Sequence, residues 1–238
     1  MSKHIRAAAA AGALSLMSLC ASAQVAVGLK GGMNLNFLKV DYGSSGNGSS
    51  PQPDTKASGT GFLAGAYLNT TGEANSGLLL EVLYSRRNSS ESYNYTLTSS
   101  GSSSTRKYVG KIDYTFQYIQ IPLLLCAKPT ARLAIHFGAA ADLLQGVSSR
   151  DIGSYTFTSG SSGSGSSSYD VKVTTDKNLN KVIASLVIGA DYEPLPGLHG
   201  GVRFLYDVVD ADKTSDITAT GSELQFSVGF DLIGRRKE

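Results

Sequence analysis

The sequence predicts an all-β chain: an eight-stranded antiparallel up-and-down transmembrane β-barrel, with short turns at one end and long loops at the other. Three observations carry that expectation. Apolar and polar residues alternate with a period of two through eight separate segments, as in strands that bury one face. The connections between those segments alternate between short and long. The N-terminus has the make-up of an export signal.

That signal comes first in the chain. Lys3, His4 and Arg6 form a basic start, Ala7 to Leu19 a short apolar core, and Ala21-Ser22-Ala23 a small-x-small cleavage pattern. Residues 1–23 are therefore expected to be a signal peptide and residues 24–238 a single barrel domain. The apolar core is too short to span a bilayer, and the bulky Leu19 before Cys20 is a poor fit to a lipid-attachment motif. Loss of Lys3 and Arg6 with the leader takes the formal net charge from +2 to 0, which leaves no footprint for nucleic acid. Cys126 is then the sole thiol, so no intramolecular disulfide staples the fold. With His136 and His199 as the only remaining histidines, neither a metal nor any other cofactor is indicated.

The strand segments follow in order. In the first, Val25, Val27, Leu29, Met33, Leu35 and Phe37 oppose Ala26, Gly28, Lys30, Gly32, Asn34 and Asn36. The second sets Phe62, Ala64, Ala66 and Leu68 against Leu63, Gly65, Tyr67 and Asn69, and the third Leu78, Leu80, Val82 and Tyr84 against Leu79, Glu81, Leu83 and Ser85. The fourth, from about Ile112 to Cys126, changes phase: Tyr114, Phe116 and Tyr118 give way to Ile119, Ile121, Leu123 and Leu125, so a bulge near Tyr118 is expected, which would also accommodate Pro122. Leu133 to Ala141 form the fifth against His136 and Asp142, and Val182 to Tyr192 the sixth against Ser185, Gly189 and Asp191. Val202 to Val208 form the seventh against Arg203 and Asp207, and Leu224 to Leu232 the eighth against Glu223, Gln225, Ser227, Gly229 and Asp231.

The links after segments two, four and six are short, with Pro129, Pro194, Pro196 and Gly197 supplying turn chemistry. The others are long and mostly rich in Ser and Gly. Outer-membrane barrels have this asymmetry, with short periplasmic turns and long extracellular loops, and eight strands then place both termini in the periplasm. Tyr93, Tyr95 and Leu97 alternate with polar residues and extend the third strand beyond the membrane. Tyr155 and Phe157, then a Ser/Gly tip over Ser159 to Ser168, then Tyr169, Val171 and Val173 read as a protruding hairpin with a disordered tip.

The polar faces decide which side meets lipid. They mix Gly and Asn with a few charges, a set that can fill the narrow interior of eight strands, while Leu, Phe, Tyr and Val make the outer band. Phe37, Tyr84, Tyr192 and Tyr206 fall near segment ends, where interface aromatics belong. Lys30, Glu81, His136 and Arg203 are expected to point into the lumen as a polar network, either a set of locked ion pairs or a polar pathway. The inside-out alternative is a soluble lipocalin-like carrier of apolar ligands.

The pieces GLKGGMNLNF, GFLAGAYLN, YIQIPLLLCAKP and LQFSVGFDLI, in that order, resemble the PorT-like outer-membrane β-barrel domain of Bacteroidota, whose members are often described as a porin family. The run from Tyr118 to Leu125 is the most specific of them. The resemblance covers the mature chain and implies insertion into outer-membrane lipid by the outer-membrane assembly machinery. No activity transfers by residue, because the shared motifs are strand patterns. Two roles remain for the barrel: a structural or surface-interaction protein that meets a surface protein or glycan through its loops, or a small-solute pore. Water-filled channels belong to barrels of about 16–18 strands, which favours the first. No Ser-His-acid constellation stands out, so no enzyme is expected.

Overall fold

In the computed structural model, which describes residues 25–42, 55–70, 75–98, 104–159, 163–174, 179–209 and 217–233, the chain forms one antiparallel sheet of nine strands. The expected signal peptide, residues 1–23, lies outside the described residues. The strands are β1 (Ala26–Tyr42), β2 (Thr55–Asn69), β3 (Ser76–Thr98), β4 (Ser104–Ala127), β5 (Leu133–Ser159), β6 (Gly163–Val173), β7 (Val182–Leu195), β8 (Leu198–Asp207) and β9 (Ile217–Ile233). Eight of them close a ring in the order β1-β2-β3-β4-β5-β7-β8-β9, with β9 paired back onto β1, so the ring leaves no free edge. β6 stands outside the ring and pairs with β5.

The eight segments expected from alternation are the eight ring strands. Their apolar faces turn outward: Leu29, Phe137, Leu186 and Val228 are each more than half exposed. Along Val27 to Phe37, Leu78 to Tyr84, Ile119 to Leu125, Leu133 to Leu143, Val182 to Tyr192 and Leu224 to Leu232, no outward position carries a charge. The polar residues between them are buried in the lumen. A lipocalin-like carrier would hold its apolar faces inside, so that alternative is overturned.

The β2–β3, β4–β5 and β7–β8 links are short and gather at one end, here the turn end; at the other, the loop end, β1–β2 and β8–β9 keep long links, while the expected long links after β3 and within β5–β6 are mostly taken up by strand extensions. The β7–β8 turn shows how the sequence makes the short links. Pro196 and Gly197 sit between the paired Leu195 and Leu198, and Gly197 adopts φ +80, the left-handed geometry that a Pro-Gly turn needs. At Pro122, which has no N–H to give, the β3–β4 ladder runs from Leu80↔Leu123 directly to Leu83↔Gln120.

The expected bulge is present, but on the neighbouring strand. Gln117 pairs with Gly146 and Tyr118 with Leu144, so Gln145 of β5 is the extra residue. β4 itself keeps one phase, pairing Gln117↔Arg86 and Tyr118↔Ser85 without interruption. Tyr114 and Phe116 therefore share the inner phase with Tyr118, stacked at 6.2 Å between ring centroids, and Asp113 and Gln117 turn outward, the reverse of the expected faces. The period-two rule was sound; the outer-apolar assumption stops applying where the strand leaves the band.

Beyond the band, β3, β4, β5 and β6 continue as a raised four-stranded sheet, with Thr98↔Thr105 and Ser159↔Gly163 pairs at its outer edge. Gly163–Ser168, expected in an irregular tip, are strand residues, since β5 offers backbone groups to pair with whatever their side chains.

Candidate functional site

Period two puts the polar residues of every ring strand into one narrow interior, where they form two layers. Near the turn end, Lys30 of β1 and Arg203 of β8 converge on Glu81 of β3. Lys30 Nζ donates to Glu81 Oε1 at 3.0 Å and Arg203 Nη1 to Glu81 Oε2 at 2.5 Å. Arg203 Nη2 also lies 3.5 Å from Asp191 Oδ2 of β7. His136 of β5 joins through that same carboxylate, its Nε2 3.0 Å from Asp191 Oδ2, while its Nδ1 lies 3.0 Å from Cys126 Sγ of β4. The four residues singled out from sequence thus sit in one layer, but Asp191 links His136 to the rest.

Toward the loop end a second polar layer is centred on Arg87. Its Nη2 reaches Asp142 Oδ2 at 2.5 Å and Glu223 Oε2 at 2.6 Å, and its guanidinium lies over the Tyr118 ring, 4.7 Å from the centroid. Gln225 Nε2 donates to Gln120 Oε1 at 2.8 Å and to Glu223 Oε1 at 3.0 Å. Ser185 Oγ donates to Asp207 Oδ1, and Asn34 Nδ2 to Ser85 Oγ. Leu63, Leu83, Leu124 and Leu205, each at most 1% exposed, lie along the strands between the two layers.

A cavity of about 30 Å³ lies at the turn end, lined among others by Lys30, Glu81, His136, Asp191 and His199. Space of that order holds a water or so. Beside it Tyr67 of β2 crosses over Gly28 of β1 and donates its hydroxyl to Asp231 Oδ1 of β9 at 2.5 Å, a contact shared with His199 Nε2 at 3.2 Å. A Cβ on Gly28 would overlap the Tyr67 ring, so the glycine is what lets the tyrosine span two strands.

Such a ring of half-apolar strands around a polar interior is the geometry of an outer-membrane barrel, and a family model for the outer membrane protein beta-barrel domain matches residues 20–211. The chain belongs to this family. Membership puts this barrel in the bacterial outer membrane. Among solved structures it is similar to Ail, the attachment invasion locus protein of Yersinia pestis, at 12% identity over 87% of this chain and 99% of that one, with a TM-score of 0.34. Neisserial surface protein A matches at 13% identity over 86% and 97%, TM-score 0.34, and the outer membrane protease OmpT of Escherichia coli at 7% over 88% and 97%, TM-score 0.29. No curated protein matches the chain. Values this low give the barrel no activity by analogy.

Outside the membrane, this outer-membrane barrel carries an aromatic surface on the inner face of its raised sheet. Tyr95 stacks on Tyr108 at 5.0 Å between centroids, and Tyr108 neighbours Tyr155 at 5.8 Å. Tyr93 crosses Gly110 to meet the Tyr169 hydroxyl and donates to Asp151 Oδ1 at 2.7 Å. Burial first, then those hydrogen bonds, push the Tyr93 hydroxyl above the usual tyrosine range.

Sequence reasoning missed two features. Cys126 reads as a tolerated small residue, yet β4–β5 register pairs it directly with His136 across a five-residue turn, a relation available from the spacing around Pro129. The order Cys126, His136, Asp191 resembles a nucleophile triad. Cys126, however, is 2% exposed and does not line the cavity, so the thiol has no room beside it for a substrate. Arg87 was missed because Arg86-Arg87 gives no hint from composition of which guanidinium turns inward; only the odd phase shared with Glu81 and Ser85 does.

Proposed function

We propose that the chain is a small outer-membrane barrel with a largely filled lumen, acting as a structural or surface-interaction protein through its loop end, which faces the cell exterior, with both termini periplasmic. The observation that carries this reading is the mid-lumen set of Leu63, Leu83, Leu124 and Leu205, nearly inaccessible between two ion-paired layers. A barrel plugged in this way does its work outside the lumen, and the raised sheet supplies a surface for it. Lys30, Glu81, His136 and Arg203 then serve as a structural lock and not as a pathway. Tyrosines are apt contacts for a surface protein or a glycan, being large, stiff and able to hydrogen-bond.

The reading includes residues 1–23 as a cleaved leader, delivery by the outer-membrane assembly machinery, no enzymatic role, no nucleic-acid partner, and a PorT-like affinity within Bacteroidota that rests on the Tyr118 to Leu125 run. Single-channel recording of the purified barrel in planar bilayers tests it against the small-solute pore. The expected trace stays at background. A steady open level well above background would establish the pore instead.

A further inference from the structure

Two phenols and a carboxylate meet on the inner face of the raised sheet, outside the lumen. One cross-strand row makes this possible: Tyr93, Gly110, Gly153 and Tyr169, a residue each from β3, β4, β5 and β6. The two middle positions lack side chains, and the outer two reach across them. A Cβ on Gly110 would overlap the Tyr93 hydroxyl, and one on Gly153 would overlap both hydroxyls. The hydroxyls are therefore in hydrogen-bond contact over Gly153, and Tyr93 Oη lies 2.7 Å from Asp151 Oδ1, two residues along β5. All three side chains are only partly buried, so solvent reaches them. Negative charge gathers here without a cation against it. Glu91 shares the inner face and the row of Asp151, with Ile112 between them; it is 6% exposed and has no hydrogen-bond or ion-pair partner among the described residues. Arg150, next to Asp151, turns outward to Asp170. Among the described residues, the inner-face cation of the raised sheet is Arg106, which lies over the Phe157 ring four residues along β4 from Gly110.

We propose that Tyr93, Tyr169 and Asp151 bind a hard trivalent cation, the ferric ion. Charge selects it: two phenolates and one carboxylate supply three negative charges, which a trivalent ion cancels and a calcium or magnesium ion does not. Phenolate oxygen is a ligand that ferric iron accepts. The two phenol protons leave as the metal binds, since a bound cation favours the deprotonated form of its ligands. Adjacent oxygens around an octahedral ion with bonds of about 2.0 Å stand roughly 2.8 Å apart. The 2.7 Å between Tyr93 and Asp151 is close to that spacing. Composition hides such a site, because its donors are oxygens brought from three strands and not a histidine or cysteine cluster. It lies outside the lumen, so the inference goes beyond the surface-presentation reading and stands whether or not the lumen conducts.

The test uses the full mature barrel refolded in phosphatidylcholine vesicles, with ferric nitrilotriacetate as the probe. It reads iron retained per barrel together with the visible absorbance that charge transfer from phenolate to ferric ion produces. One iron per barrel with that band is expected, and excess calcium or magnesium should leave both unchanged. Tyr93→Phe and Tyr169→Phe should keep the heat-modifiable gel mobility, since each retains its ring. Each should weaken the band and retain iron at least about a hundredfold less tightly, beyond what loss of a group that merely orients a ligand costs. Tyr95→Phe, on the same face and stacked on Tyr108, should behave as the parent barrel. No visible band in the parent, or an undiminished one in Tyr93→Phe/Tyr169→Phe, overturns the proposal. An equal loss in Tyr95→Phe overturns it too, by making the iron an adventitious guest of exposed tyrosines.

Discussion

Replacing Glu81 tests the polar lumen most directly. Its carboxylate is 1% exposed and accepts from two cations on two other strands, Lys30 and Arg203. Glu81→Ala leaves both cations buried, with Asp191 as the remaining anion of the layer, 3.5 Å from Arg203. Removing one partner of a buried ion pair costs about 3–5 kcal/mol, because the survivor keeps its desolvation penalty without its compensation. Ser164, exposed on β6, sets the scale for an indifferent site, and Ser164→Ala should stay within about 0.5 kcal/mol. Urea unfolding of the barrel refolded into phosphatidylcholine vesicles, followed by the loss of its unboiled gel mobility, reads both. A charge origin makes a further demand. Lys30→Met/Glu81→Gln leaves Arg203 balanced by Asp191, so the double variant should recover much of what Glu81→Gln alone loses. Equal midpoints for Glu81→Ala and Ser164→Ala would refute the buried placement. A double variant weaker than the single one would refute the charge argument and leave only packing.

Three further outcomes follow from the same contacts. Gly28→Ala should cost about 1–3 kcal/mol by driving a Cβ into the Tyr67 ring, whereas Gly200→Ala, with nothing within 4 Å, should be silent in the same unfolding assay. Alkaline absorbance titration should show tyrosines ionising later than the ordinary value of about 10, with a smaller late fraction in Tyr93→Phe. Because the folded Tyr93 value is raised, its contribution to the raised sheet is complete below the unfolded value and disappears as pH climbs through the folded one. Cys126 should resist a water-soluble thiol reagent in the folded barrel and react at once after unfolding in denaturant; brisk labelling of the native protein would place the β4–β5 pairing in error.

The ring was legible in the sequence because a membrane imposes its pattern on every strand. Outward residues such as Leu186 and Phe226 face hydrocarbon and their neighbours Ser185 and Gln225 do not, so period two survives from β1 to β9. The rule weakens where lipid ends. Tyr114 and Phe116 look like lipid-facing residues by composition, yet above the band an aromatic ring gains as much from stacking on the inner face of the raised sheet. The same loss of constraint hid the length of β4 and the strand character of Gly163–Ser168. Within the lumen, membership was readable and pairing was not. Alternation sends Glu81, His136 and Asp191 inward alike, but which charge meets which depends on strand stagger around a closed ring, a quantity no local window contains.

That dependence on closure bears on how the molecule divides its labour. The lumen contacts join residues far apart in the chain: Lys30 to Glu81 across 51 positions, Gln120 to Gln225 across 105, Arg203 to Glu81 across 122 and Tyr67 to Asp231 across 164. Lys30 and Glu81 stand only one strand apart, across β2, but the other three join the first half of the chain to β8 or β9 and form only as the ring closes. The polar layers therefore favour closure as a single event and penalise every partly opened form. The raised sheet is made differently. β3 with β4 and β5 with β6 are hairpins between neighbours in sequence, and beyond the band they pair through Thr98↔Thr105 and Ser159↔Gly163 without any lumen contact. Changes of loop sequence or a bound partner can alter these hairpins while Glu81 and Arg87 keep the ring shut. On the proposed reading, a barrel locked from inside and elaborated at one end presents a surface, and the same lock leaves it poorly suited to passing a solute.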